Sequence, residues 1–559
     1  MTDIRRSILW VVFGFSMVML WDNWQLYNGK APTFFAAPKP AATAVAVDPN
    51  GAAAAPGVGG SAALPPGATA ATAVAGERVT VQSDVLTLVF DSQGASLVGA
   101  TLRQHATQLG GANANFEPLV LLQNSPQSTY IAQSGLTGVG GANHTTLFTR
   151  QPGPTTLADG QDQLQVRYVA QAQNGVSLET TYTINRGSYV IDVQHRVSNT
   201  TAQPVTPQVY MQLVRDDTPA ESETPFYQTF TGPAVYTEEK KFQKIDFEDL
   251  AKREADFQKQ TRSGYVAMVQ HYFASAWLLP EGASRTNYAR PTGGRLYAVG
   301  TLADLPPVAP GAEQRLNSRL FVGPQDEKNL EQIAPGLELV KDYGWVTILA
   351  KPLYWLLEQI HAVVGNWGWA IVLLVVVIKA AFYWLNAKAY RSMAKMKALT
   401  PRITEMRERL KEQPQQMQQE MMRIYREEKV NPLGGCLPIM VQIPVFIALY
   451  WVLLSSVEMR NAPWLGWIHD LSSKDPWFIL PVIMTATTMF QTALSPLPPD
   501  PLQAKLMWFM PLAFSVMFFF FPAGLVLYWI TNNSLTIAQQ YVINRSMGVK
   551  VSFNLPKFK

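Results

Sequence analysis

The sequence predicts a polytopic α-helical membrane protein with a large all-β domain inserted after its first span. Three observations carry this. Long apolar runs lie near the start of the 559-residue chain and again after residue 340. Between them stands a long stretch of short alternating segments punctuated by turn signals. Lysine and arginine are unevenly divided among the segments joining the runs, as the positive-inside rule requires.

The first apolar run, 7–21, follows Arg5 and Arg6 and is followed by Trp21, Asp22 and Trp24. That pattern suits an anchor over 1–28 with its N-terminus in the cytoplasm; a cleaved signal peptide is the rival reading. Residues 29–76 are rich in alanine, proline and glycine and nearly uncharged, so they read as a flexible linker. Residues 77–335 read as a β-sandwich. Residues 85–90 and 164–170 are strands, Asn174-Gly175 is a hairpin signal, and 176–184 alternates again. The charged stretch 238–261 suits a short helix.

Residues 336–365 combine Trp345, Leu349, Trp355 and Ile360 with Lys351, Glu358 and His361. This fits an amphipathic helix on the outer membrane surface, or a helix packed on the β-domain. Five runs follow within 366–545: 367–385, 435–457, 477–494, 506–521 and 525–541. They approach the roughly 17–25 residues that span hydrocarbon, the shorter ones with help from their flanks. Residues 386–430 read as two helices broken near Pro414, a hairpin outside the membrane, with Glu405 and Arg409 spaced as an (i, i+4) pair. Its methionines include Met393, Met396, Met406, Met417 and Met421, which suit either ordinary packing or an adaptable surface for varied apolar chains.

Eleven basic residues lie between Lys388 and Lys429, so that hairpin belongs in the cytoplasm. The loop 458–475 has only Arg460 and Lys474, so it belongs outside. The tail 546–559 is basic and cytoplasmic, and is a candidate ribosome contact. Six spans with both termini inside satisfy all of these placements.

Enzyme signatures are missing: the sequence has no Walker loop, HExxH or GxSxG, and its six histidines have no metal-ligand spacing. No cofactor is expected, and no basic tract points to direct nucleic-acid recognition. The informative residues are polar groups inside apolar runs: Lys379, Gln442, Thr485, Thr488, Thr492, Tyr528, Asn532 and Gln539. A lysine in hydrocarbon costs about 2.5–3.5 kcal/mol on insertion scales. Lys379 stands six residues before the end of its run, about 9 Å along a helix, so it either snorkels to the cytoplasmic headgroups or lines a hydrated groove.

The blocks SMAKM at 392–396, MRERL at 406–410, EKVNPLGGC at 428–436, WIHDL at 467–471 and FPAGLVLY at 521–528 carry a resemblance. They resemble the YidC/Oxa/Alb family of membrane-protein insertases, in its Gram-negative form. The resemblance implies an inner-membrane insertase and chaperone with a five-helix core and a periplasmic β-super-sandwich. It implies nascent membrane proteins, membrane lipids and the Sec translocon as partners, and no nucleotide hydrolysis. It also implies a hydrophilic groove open to cytoplasm and lipid, here formed by Lys379, Gln442, Thr485, Thr488, Tyr528, Trp529 and Asn532. The family usually has arginine where this chain has Lys379; charge is kept, but the planar bidentate fork is not. Tyr528 and Trp529 match positions that touch substrate in the family, and the hairpin methionines would receive the incoming chain.

Overall fold

A computed structural model describes residues 76–107, 116–138, 141–172, 174–219, 229–410, 413–428, 437–495 and 501–546, with Pro65 and Gly548. The expected anchor, nearly all of the linker and nearly all of the basic tail lie outside these residues. The chain forms two compact units. One holds the described residues up to His105 and those of Pro118–Val340; the other holds the described residues of Ala106–Glu117 and those from Lys341 onward.

The first unit is a sandwich of two nine-stranded sheets. In order across the first sheet, the strands are Arg78–Gln82, Leu86–Asp91, Ser96–Ala106, Pro118–Asn124, Thr129–Thr137, Gln208–Asp216, Leu296–Asp304, Arg285–Gly293 and Gln260–Thr261. The second runs Lys241–Lys244, Gly232–Thr237, Tyr265–Gln270, Phe273–Leu278, Glu313–Pro324, Val190–Asn199, Val176–Asn185, Gln163–Ala170 and Phe148–Arg150. Strand Val176–Asn185 alternates buried and half-buried along its whole length, so one face enters the core and the other meets water. Asn174 and Gly175 both take positive φ, 52° and 78°, at the tight turn before it. Strands Gly232–Thr237 and Phe273–Leu278 are buried at every position.

Polar side chains stitch the two sheets together. Tyr130 donates to the Met268 carbonyl at 3.1 Å, and the Trp277 indole to that of Gln212 at 3.1 Å. His195 Nε2 meets Ser134 Oγ at 2.8 Å. Two short helices, α1 (Phe247–Lys252) and α2 (Glu327–Ile333), complete the unit; α1 falls in the charged stretch 238–261.

The second unit is helical: α3 (Thr347–Val364), α4 (Trp367–Ala381), α5 (Tyr383–Arg409), α6 (Pro414–Glu427), α7 (Leu437–Ser455), α8 (Ile479–Leu494), α9 (Pro501–Met517) and α10 (Ala523–Ser546). Asn366 caps α4, its side chain accepting from the Trp369 amide at 3.1 Å. Gly365 ends α3 in the left-handed conformation, φ 70°. The core joins Ala350, Tyr354 and Leu357 of α3 to Ile371 and Leu374 of α4, Ala448 and Val452 of α7, and Leu525 and Tyr528 of α10.

The uninterrupted run 367–385 is corrected by the structure. Its helix breaks at Phe382, whose φ of −91° and ψ of 9° leave the helical region. The pieces on either side differ in direction by 64°. Among the described residues no single helix is long and apolar enough to cross a membrane; this bent pair meets the test together.

Candidate functional site

Helices α4, α7 and α10 bring Lys379, Gln442, Tyr528 and Asn532 to one small cavity. The helical repeat explains the placement. Val375, Ile378 and Lys379 fall at three- and four-residue spacing on one face of α4 and line the cavity with Phe382 just past its end. Tyr528, Asn532 and Thr536 follow each other at four-residue spacing along α10.

Lys379 is buried, 7% exposed. Its ammonium donates to Thr536 Oγ1 at 2.9 Å and, more weakly, to Gln442 Oε1 at 3.5 Å. Gln442 in turn donates from Nε2 to Asn532 Oδ1. Thr536 donates back to the Asn532 carbonyl at 2.7 Å, which leaves its lone pairs for the lysine. No ion pair joins Lys379 among the described residues. The side chain therefore turns inward to neutral oxygens rather than stretching along the helix to the surface. The cavity has about 30 Å³ of open volume, room for two or three waters at roughly 10–15 Å³ each.

Two participants escaped the sequence reading. Asn386, 6% exposed, lines the cavity from beyond the break at Phe382. Thr536 was visible only as one further polar residue of the last run, yet it makes the shorter bond to the lysine. The four-residue spacing from Asn532 was the signal for it.

The remaining expected groove residues do not join this cluster. Thr488 and Trp529 line a second cavity of about 620 Å³ between α7, α8, α9 and α10. Its walls are largely apolar, including Phe446, Met484, Met510, Phe514 and Phe518. Thr488 donates to the Met484 carbonyl at 2.8 Å and accepts from Asn533 Nδ2 at 2.8 Å. Among the described residues the Trp529 indole N–H is buried without a partner, as is Gln491 Oε1 in the same cavity. Thr485 lines neither cavity and spends its hydroxyl on the Pro481 carbonyl at 2.8 Å. Phe446 stands between the two sites, stacked on Tyr528 with centroids 5.9 Å apart and edge-on to Trp529 at 4.8 Å.

In the hairpin, Met406 is buried with Ile403 and Ile424, and Met417 and Met421 pack partly buried against them. The side chains of Met393 and Met396 lie outside those described. Arg402 crosses to Glu427 at 3.3 Å and Glu428 at 3.0 Å. The described ion pairs of this hairpin do not include one between Glu405 and Arg409. Helix α3 buries Ala350, Tyr354 and Leu357 against α4 and α7, while Ile348, Trp355 and Val363 are exposed at 86%, 60% and 87%.

The β unit has its own polar cleft of about 760 Å³, lined by Arg167, Glu179, Thr181, Gln194, Arg196 and Arg315 among others. Of its carboxylates, Glu179 is paired with Arg167 at 3.3 Å and Arg196 at 3.0 Å, and Asp192 accepts from Asn185 Nδ2 at 2.9 Å.

Comparison with known proteins places this architecture. Residues 78–356 match the family model for the YidC periplasmic domain, and residues 359–550 match that for the 60Kd inner membrane protein. The chain is 54% identical over 555 residues to the membrane protein insertase YidC of Cupriavidus necator, covering 98% of each sequence. It is 53% identical to that of Ralstonia nicotianae, again covering 98% of each. Among solved structures it is similar to an active YidC insertase crystal structure with the first transmembrane domain resolved, at 18% identity and a TM-score of 0.36 over 83% of this chain and 92% of that one. Two family models that together cover 78–356 and 359–550, with relatives above half identity end to end, make the chain a member of the YidC family of membrane protein insertases.

Proposed function

We propose that this protein inserts nascent membrane proteins into the bacterial inner membrane by giving their polar tails a hydrated, positively charged station inside the helical unit. The observation that carries this reading is Lys379: a buried ammonium held by Thr536 and Gln442, with no carboxylate paired to it among the described residues. A buried cation satisfied only by neutral oxygens is costly, and an arriving carboxylate relieves that cost.

The chemistry is transfer between environments, without bond-making. A polar tail crossing intact hydrocarbon loses the water that solvates its backbone. A polar cavity part-way across shortens that passage, and the lysine attracts acidic residues in the tail. The apolar segment of the same chain follows the larger cavity, where Phe446, Met510 and Phe514 offer matching surface, and leaves between α7 and α9 into lipid. Buried indole and amide atoms that have no partner among the described residues, at Trp529 and Gln491, can bond a passing backbone. Nucleotide hydrolysis has no part in this scheme.

The topology that fits is six spans with both termini cytoplasmic, the β unit periplasmic and α3 lying at the outer interface. The hairpin α5–α6 receives the chain first, with Met406, Met417 and Met421 as much its own core as a docking surface. The Sec translocon and the ribosome are partners within the same proposal.

Depletion and complementation test the reading. Lys379→Ala and Lys379→Glu, expressed stably, should lower insertion of substrates with acidic tails by tenfold or more, about 1.4 kcal/mol of barrier. Lys379→Arg should retain most of it. Normal insertion of every substrate by Lys379→Glu would overturn the proposal.

A further inference from the structure

At the start of the helical unit lies an ion pair with a fully buried lysine and a part-buried glutamate, far from the polar cavity along the helices. The Lys341 side chain is completely buried, and its ammonium stands 3.4 Å from both carboxylate oxygens of Glu458. The same ammonium sits 3.9 Å above the centre of the Tyr354 ring. The Tyr354 hydroxyl donates to Glu458 Oε1 at 2.7 Å. The three groups therefore close a triangle, each touching the other two. Next to it, Ser455 at the end of α7 donates to the Asp342 carbonyl at 3.3 Å.

The triangle joins three pieces of chain. Lys341 precedes α3, Tyr354 lies within α3, and Glu458 follows the outer end of α7. Helix α3 is the wedge between α4 and α7: its Ala350, Tyr354 and Leu357 share a core with Ile371 and Leu374 of α4 and with Ala448, Leu449 and Val452 of α7. Those two helices carry Lys379 and Gln442 further along. We infer that Lys341, Glu458 and Tyr354 are positioning residues for the polar site: they lock α3 into the angle between α4 and α7 and so set the separation of Lys379 and Gln442.

The physical argument is one of specificity. A buried pair contributes little net stability over apolar groups of similar size, but removing either partner leaves an uncompensated charge. Its value lies in favouring one arrangement, since a small shift of α3 would strand the fully buried Lys341 ammonium. The tyrosine adds to this, because a cation over an aromatic face is attracted at one distance and from one side.

A double-mutant cycle tests it in full-length protein carrying Cys436→Ser. The geometric readout is the crosslinking yield between Val375→Cys and Val445→Cys, both of which line the polar cavity. The functional readout is insertion of an acidic-tailed substrate in cells, which rests on the proposed function above. Lys341→Met leaves the Glu458 carboxylate unpaired, and Glu458→Gln leaves the ammonium unpaired. Each single variant should lower both readouts by roughly threefold or more. The double variant Lys341→Met/Glu458→Gln removes both charges while keeping an acceptor for Tyr354, and should return both readouts to within about twofold. Single variants that leave the crosslink unchanged, or a double variant as defective as the worse single one, would overturn the inference. Lys379→Ala in the same assay separates the two ideas. If it inserts normally the reading of the polar site fails, while the crosslinking yields still decide the role of the pair.

Discussion

Lys379 offered two explanations from its position alone, and its partners decide between them. An extended lysine so near the end of its run could have reached the headgroups. Instead its ammonium lies against Thr536 and Gln442. Periodicity could not show this, because it locates the face of a helix but not the direction a long side chain takes from it. The threonines of α8 make the complementary point. Thr485, Thr488 and Thr492 form a legible stripe, yet each hydroxyl bonds the carbonyl four residues back in its own helix. A polar stripe in a sequence therefore counts potential partners, not partners turned outward. Buried histidines give the β unit a testable acid response. Burial pushes His195 down to about 4, and burial with the nearby Arg290 charge pushes His144 down to about 4. In the unfolded chain both bind protons near 6.5, so the folded state loses stability as pH falls from about 6.5 towards 4. The loss should be on the order of 2–3 kcal/mol for each. Hydrogen exchange of the strand amides in full-length protein, read at pH 7 and pH 4.5, should show faster opening at the lower pH. His195→Gln should remove part of that difference; an identical pH response in the variant would refute the assignment.

Among the elements, the β-strands were the most legible. Alternation and the Asn174-Gly175 turn locate strands Gln163–Ala170 and Val176–Asn185 to within a residue or so. Those signals are local, and local sequence states them directly. The run 367–385 was less legible, because hydrophobicity does not register the change of dihedrals at Phe382. That break also hid Asn386, which lies past the apolar run but turns back to line the polar cavity. The entry into α4 is closely packed. A Cβ on Gly368 would fall 2.2 Å from Trp464 Cδ1 and 2.3 Å from its Cγ. Neither the indole nor the helix can yield that much without repacking. Gly368→Ala should therefore destabilise the helical unit by about 1–3 kcal/mol, seen as a lower midpoint of thermal unfolding in detergent. An unchanged midpoint would mean that Trp464 moves freely. The hairpin gives a contrast of magnitudes. Arg402 is half exposed, so Arg402→Ala should cost under about 1 kcal/mol despite its two ion pairs. Ile424→Ala, at a position 3% exposed, should cost about 2–5 kcal/mol and shift hairpin proteolysis accordingly.

For the molecule as a whole, the single groove expected from the sequence resolves into two places with different chemistry. One is small, mixes apolar walls with Lys379, Asn386, Gln442 and Asn532, and is built by α4, α5, α7 and α10. The other is large and apolar, built by α7, α8, α9 and α10, with Phe446 between them. That division suits a client that is itself divided into a polar tail and an apolar helix. It also makes Tyr528 and Trp529, adjacent in sequence, face different surroundings: Tyr528 lines the polar cavity and Trp529 the apolar one. Site-specific photocrosslinking to a stalled nascent membrane protein tests this most directly, with probes at Asn532 and at Trp529. Asn532 should capture residues of the polar tail, Trp529 should capture residues of the apolar segment, and Lys379→Glu should abolish only the first. Capture of the same client residues from both positions, or labelling of lipid alone from Asn532, would contradict it.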